Sequence, residues 1–352
     1  MPVRVPPGHP GAPLALGWTA GTRVDRSHSG GPFTLGWTAG TRVGGCHLGG
    51  RLPLGWTAGT RVGGVELGPA SSRRAAAIAT SVGRVHPIER LRYVARASSA
   101  DQRLLVRETA GALRGLQFEP AGLVIACRRI VERHPTSGPL WWFCASLLTS
   151  ARPFEACNQL ASEVEHDPTP DHLVDLLPDN ATVCVVGWPD LVGDAVMRRG
   201  DIRVLAVDAD DEGRSFVRRL ERSDVEAEVV PPQGLAAAAV AADVVLVEAM
   251  ATGQGEVLAT AGSRALASVA YCSERPTWLV AGRGRRLPDG LFATMASRIA
   301  DVRAPWDAVA EPMPVALFTT VVGPDGATSV DDPAALAPEC PMAHELVKPS
   351  PM

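Results

Sequence analysis

Lysine is all but missing from this 352-residue chain: Lys348 is the only one, and the other basic residues are arginines. Unless the C-terminal segment folds back, that excludes a Schiff base, a Walker-type phosphate loop and a lysine general base. Arginine stays protonated and does not stand in for lysine in those roles. Excess positive charge is lacking too. A net charge of -4 and a pI near 6.1 offer no basic surface, so neither nucleic acid nor an anionic membrane is an expected partner. Long hydrophobic runs are absent. The greasiest stretch, LAAAAVAADVVLVEAM, carries Asp243 and Glu248 and does not read as a membrane span. The opening MPVRVPPGHPGAP builds no apolar leader, which makes a cytoplasmic location the expectation.

The seven cysteines (46, 127, 144, 157, 184, 272 and 340) form no C-x-x-C pair, and several sit in apolar runs such as ATVCVVG. They read as reduced, buried small hydrophobes. The eight histidines are scattered, with His166 and His172 in EHDPTPDH far from any thiol cluster. No metal is expected. No G-x-G-x-x-G fingerprint is present, so no dinucleotide cofactor is expected either.

What the chain does have is 46% apolar and 20% charged residues, the balance of a globular protein with one large or two modest domains. Its first seventy residues hold a perfect repeat, LGWTAGTRV, at 16–24, 35–43 and 54–62. The Gly/Pro-rich spacers offer little to bury, so residues 1–70 read as disordered. The repeat fits a translated tandem DNA repeat ahead of the true start codon; a multivalent binding tail is the functional alternative.

From 72 to 178 apolar residues recur at three- and four-residue spacing, which predicts a helical domain. AGLVIACRRIVERHP sets Leu123, Val124, Cys127, Ile130 and Val131 on one face and stops at Pro135. PLWWFCASLLTS is apolar all round and predicts either a buried central helix or an oligomer contact. From 179 to about 330 short β-branched runs alternate with helical stretches: ATVCVVGW, IRVLAVDA, AEVVP, DVVLVEAM, TWLVAG and PVALFTTVVG read as strands. Continuous apolar strands with helices between them predict an α/β unit, a Rossmann-like, mostly parallel sheet covered by helices on both faces. Residues 331–352 read as a flexible tail.

One segment carries a resemblance. In VVLVEAMATGQGEVLATAGSRALASVAYCSERPTWLVAG, the residues Val247, Ala249, Gly255, Val257, Gly262, Ser263, Leu266 and Ala267 fall in register with a family signature. The pattern is V-G-A-D-x-I-x-x-N-G-x-V-x-N-K-x-G-T-x-x-L-A. The chain thus resembles the alpha, beta and delta regulatory subunits of translation initiation factor 2B. Their family includes methylthioribose-1-phosphate and ribose-1,5-bisphosphate isomerases. VVGWPDLVGDAVMRR, AVDADDEGRSFVRRL and EPMPVALFTTVVGPDG follow the family's order. The resemblance implies a helical domain ahead of a Rossmann-like one, a bound sugar phosphate or nucleotide, and a homodimer formed through the sheet domain. Departures fall on the chemistry. Met250 stands for the family's aspartate, Gln254 for an asparagine, Ala259-Thr260 for Asn-Lys, and Pro189 near its cysteine. Methionine and proline have no proton to transfer, so the family's isomerisation cannot run in its usual form; no catalytic residue is assigned.

Ligands of such sheets sit at the carboxyl ends of the strands. That rule selects Trp188 and Asp190 after the first strand, and Asp208 with Asp210 and Asp211 after the second. Glu248, Gln254 and the Gly262-Ser263-Arg264 turn follow the later one. The DADDEG run would bind ribose hydroxyls or simply cap its helix. Gly262, Ser263 and Arg264 would offer backbone N–H groups to a phosphate or be an ordinary cap. Glu248, if buried, needs a partner such as Arg264. Arg283, Arg285 and Arg286 would serve phosphates or acidic partners, or simply form a surface loop. Three functions compete: a non-catalytic ligand-sensing or interaction protein, an isomerase with acid/base groups relocated to Glu248, Asp190 or Asp208, and a structural oligomer subunit.

Overall fold

The computed structural model describes residues 101–116, 119–300 and 304–348. The repeat segment and the helical stretches expected over 72–100 lie outside the described residues.

Helices come first: α1 (Gln102–Leu116), α2 (Pro120–Arg133), α3 (Gly138–Thr149), α4 (Pro153–Glu165) and α5 (Thr169–Leu176). Ser137 starts α3 by accepting from Leu140 N–H at 3.4 Å, and Pro139 sits in the first turn, where its missing N–H costs nothing. The all-round apolarity of α3 is used inside the chain. Leu140, Trp141, Phe143, Cys144 and Leu147 are buried in a core shared with α1, α2 and α4. The alternative of an oligomer contact through this helix is therefore corrected: its faces are consumed by its own domain.

The expected βα alternation follows. It runs β1 (Thr182–Val186), α6 (Asp190–Arg199), β2 (Arg203–Val207), α7 (Glu212–Glu221), β3 (Ala227–Val230), α8 (Leu235–Ala241) and β4 (Val244–Glu248). After β5 (Ala251–Thr252) and β6 (Glu256–Thr260) come α9 (Ser263–Cys272), β7 (Thr277–Val280) and α10 (Asp289–Ala300). Then follow β8 (Ala310–Pro314), β9 (Thr320–Gly323), β10 (Gly326–Ser329) and a last short turn of helix, α11 (His344–Val347). The main sheet has the order β10-β9-β7-β4-β1-β2-β3, parallel except for the β9–β10 hairpin. Alternation along each strand splits its residues between two cores. Cys184, Val186, Val245 and Val247 face α8 and α9, whereas Val183, Val185, Val244 and Leu246 face α5, α6 and α7. The predicted Rossmann-like α/β sheet with helices on both faces is the observed one.

Three features depart from the sequence reading. First, β5, β6 and β8 form a separate antiparallel sheet, order β5-β6-β8. The stretch PVALFTTVVG contributes a strand only over Thr320–Gly323, because Val315–Leu317 makes a 3-10 turn. Second, Arg285 and Arg286 are buried, with 6% and 8% of their surface exposed; they are not a surface loop. Third, the supposed tail packs. Leu336 joins the sheet core, and Cys340, Ala343 and Leu346 join the helical core beside Leu291, Phe292 and Met295 of α10. The helical core is thus completed by the C-terminal end of the chain.

The thiols of Cys127, Cys144, Cys157, Cys184 and Cys340 are free and buried, and Cys272 is exposed. Burial pushes Cys184 up to about 12 and Cys157 to about 11, so they pack as hydrophobes instead of reacting. Among the described residues no helix is long and apolar enough to cross a membrane.

Candidate functional site

A parallel sheet whose order reverses between β1 and β4 leaves a crevice at the carboxyl ends of those two strands. Here it is a cavity of about 570 Å³. Its walls come from the β1–α6 turn (Trp188, Pro189, Asp190), the β2–α7 turn (Asp210, Asp211, Glu212) and the end of β4 (Glu248, Met250). Thr260 and Ser263 add the third side. Asp101, Gln102, Thr136 and Pro139 close it from the helical part.

Local sequence shapes these turns. Gly187 ends β1 at φ 66°, where its N–H donates to Val207 O at 2.9 Å; the left-handed backbone is cheap only for glycine. After β2, Asp210 and Asp211 adopt φ 50° and 62°, a region that aspartate tolerates better than most residues. Gly213 follows because a Cβ there would meet the Asp208 backbone at 2.8 Å.

The floor is a buried ion pair. Glu248 Oε1 accepts from Arg285 at 2.7 Å, and the two side chains are only 8% and 7% exposed. Its other oxygen, Oε2, accepts from the backbone N–H groups of Leu191 (2.8 Å) and Val192 (3.2 Å). Glu248 therefore occupies the N-terminus of α6, where the helix dipole and free N–H groups favour an anion. Arg285 also donates to Ala249 O. The partner expected for Glu248 was Arg264; the partner in the fold is Arg285, because α9 carries Arg264 out to solvent. Arg285 is in turn held by its own loop. Glu339 accepts from Gly284 N–H (2.8 Å), Arg283 (3.0 Å) and Arg286 (3.1 Å).

The phosphate-binding alternative for Gly262-Ser263-Arg264 meets a similar plug. Gly262 N–H and Arg264 N–H donate to Glu311 Oε1 at 2.7 and 3.0 Å. Only Ser263 of that turn lines the cavity. Asp208 turns back to Arg214 at 2.9 Å and accepts from Arg214 N–H, which is the capping alternative. Gln254 lies exposed in the β5–β6 turn, its N–H donating to Asp289 at 3.0 Å. The cavity thus gathers Trp188, Asp190, Glu248 and Ser263 but not Asp208, Gln254, Gly262 or Arg264.

Sequence reasoning missed Asp101, Ser215 and Arg219; of the two alternatives for Arg285, the fold takes the acidic partner. Glu212, Ser215 and Arg219 recur at helical spacing just after a strand, a signal that they share the cavity face of α7. Nothing in the sequence around Asp101 pointed there. Arg219 lies 5.7 Å over the Trp188 ring and 3.4 Å from Asp194. Asp190 has no basic partner within salt-bridge distance among the described residues. Burial, helped by the nearby Glu248 and Asp101 carboxylates, pushes its carboxyl up to about 7. Glu212 is also raised, by burial and then by Asp210. Among the described residues no cluster of His, Cys, Asp and Glu could hold a metal ion.

A helical half packed on a doubly wound parallel sheet, with a cavity at the strand-order reversal, defines the class: an α/β protein of the initiation factor 2B regulatory-subunit fold. Three solved structures place it there. Translation initiation factor eIF-2B of Pyrococcus horikoshii OT3 superposes with a TM-score of 0.58 at 17% identity, covering 71% of this chain and 98% of that one. The eIF2B beta–delta complex of C. thermophilum gives 0.56 at 12% identity over 69% and 90%. The delta subunit from Chaetomium thermophilum gives 0.53 at 14% over 67% and 95%. No protein-family model matches the chain, and no curated relative does.

Two outcomes follow. Glu248→Ala leaves Arg285 buried without its anion and uncaps α6, so urea unfolding should show a loss of about 3–5 kcal/mol. The double change Glu248→Leu with Arg285→Met should restore much of it, and an additive double mutant would remove the assigned coupling. For Asp190, the folded acid holds its proton to about pH 7 while the unfolded one releases it near 3.8. Stability therefore falls as pH rises between those values. Asp190→Asn abolishes that loss, so its advantage over the parent should be about 1–3 kcal/mol larger at pH 8 than at pH 5. An equal difference at both pH values would contradict this reading.

Proposed function

We propose that this chain is a divergent, non-isomerising member of the initiation factor 2B alpha/beta/delta family, and that its switch-point cavity serves ligand sensing or interaction. One observation carries this reading. Pro189, Met250 and Thr260 line the cavity at the three positions where the resemblance expects cysteine, aspartate and lysine. The pocket is retained while the groups that would relay a proton between adjacent sugar carbons are replaced by side chains unable to do so.

A specific observation supports a second reading, an isomerase with relocated acid/base groups. Asp190 lines the cavity and titrates near 7, the range suited to proton transfer at neutral pH. Glu248 is a poorer candidate, since both its oxygens are committed to α6 and Arg285. Incubating the protein with ribose 1,5-bisphosphate and with methylthioribose 1-phosphate in deuterated water separates the two readings. The expected result is neither ketose product nor deuterium at carbon. Product that disappears in Asp190→Asn would replace the first reading with the second.

The C. thermophilum structure is a tetrameric complex of beta and delta subunits. By analogy we infer that this chain forms a homodimer through its sheet domain, with α3 excluded as the contact. Light scattering should return about twice the 36.9 kDa chain mass; a single-chain mass would remove the inference.

A further inference from the structure

We propose that the switch-point cavity takes a small organic cation, an amine-bearing polar molecule, and rejects phosphorylated ones. The proposal rests on the reading of this cavity as a ligand site and narrows it to a charge class.

A phosphate in a doubly wound sheet is normally met by the N-terminus of a helix that follows a strand. The N-termini of the three helices that follow strands around this cavity are each met by one of the chain's own carboxylates; on α7 it is Asp208, which accepts from Arg214 N–H at 3.3 Å. Glu248 sits on α6, and Glu311 sits on α9. Arginine is the remaining anion receptor, and the lining has two. Arg285 is locked on Glu248, while Arg219 lies over Trp188 and leans to Asp194. Among the described residues of the lining, no arginine is without a carboxylate neighbour.

The opposite charge is in surplus. Six carboxylates line the cavity, those of Asp101, Asp190, Asp210, Asp211, Glu212 and Glu248. Asp101 and Asp211 have arginine neighbours, at 3.4 and 3.5 Å, and Glu248 has Arg285. Asp190, Asp210 and Glu212 have no cation within salt-bridge distance among the described residues. They come from the β1–α6 and β2–α7 turns, with Glu212 close over Gly187, so two walls of the one cavity present carboxylates to a bound cation. A lining of this sign, held in a crevice with low-dielectric walls, concentrates cations and repels anions. At about 570 Å³ the space is that of an ordinary small-molecule pocket, and Gln102, Thr136, Ser215, Thr260 and Ser263 supply hydrogen-bonding groups for a polar body. Asp190 is raised first by burial and then by Glu248 and Asp101, against Arg285 and Arg103, and a bound cation would offset the part that comes from the carboxylates.

The test is calorimetric titration of the full chain with glucosamine, spermidine, glucose and glucose 6-phosphate, at pH 6 and pH 8 in physiological salt. At least one amine should bind about tenfold or more tighter than glucose, and tighter at pH 8 than at pH 6. Asp190→Asn and Glu212→Gln should each weaken that amine several-fold while each variant still melts in a single cooperative transition. Either variant suffices if the other fails to fold. Amine binding indifferent to both variants would mean attraction to the outer surface, and would overturn the proposal. Tighter binding of glucose 6-phosphate would overturn it too, yet leave the cavity as a ligand site. Silence from all four probes into the millimolar range would overturn both the proposal and the binding reading beneath it.

Discussion

The carboxylate of Glu248 is the point through which the sheet, the first covered helix and the C-terminal segment are tied together. It ends β4, caps α6 and neutralises Arg285. A buried anion survives only where its lone pairs are met, and here four acceptor directions face two backbone N–H groups and one guanidinium. Arg285 reaches it because Glu339, more than fifty residues later in the chain, holds the 283–286 loop by side-chain and backbone donors. The same Glu339 segment accepts from the Trp142 indole N–H at 3.2 Å, joining α3 to the loop. The floor of the cavity is thereby set by contacts that run from the central helix to the end of the described chain.

This arrangement decides the character of the site. Where an anion-binding sheet protein leaves helix N-termini open, this chain fills them with glutamates, and the residues left facing the cavity are mostly acids. The loss of cysteine, aspartate and lysine equivalents at Pro189, Met250 and Thr260 removes proton relay at those positions. Asp190 keeps one titratable group in the cavity wall, made weakly acidic by burial and by its acidic neighbours.

Much of this was legible in the sequence. The five central strands are runs of β-branched and small apolar residues that both faces bury, and the helices between them carry the helical period. The rule that ligands gather at strand ends picks out Trp188, Asp190, Glu248 and Ser263, which the fold brings to one cavity, and also Asp208, Gln254, Gly262 and Arg264, which it leaves outside. The antiparallel sheet escaped because β5 has two residues and β8 is AEPMP. Neither segment has an alternation to read: β5 pairs only two residues with β6, and β8 owes its pairing to a strand fifty or more residues earlier. The loop AGRGRRLPDG reads as surface because three arginines ordinarily seek water. Glu248, Glu339 and Asp325 repay the burial of two of them.

By itself the sequence determined the parallel sheet, its helical cover, the apolarity of α3 and the side chains that stand where the resemblance expects a proton relay. Each of these follows from local composition and period, which neighbours in the chain can set. The tertiary structure alone decided which charges meet. Ion pairing depends on distance in space, and Arg285 with Glu248, or Glu311 with the start of α9, are joined across 37 to 49 residues. For the same reason only the folded chain shows that the C-terminal segment belongs to the core and that the cavity is acidic.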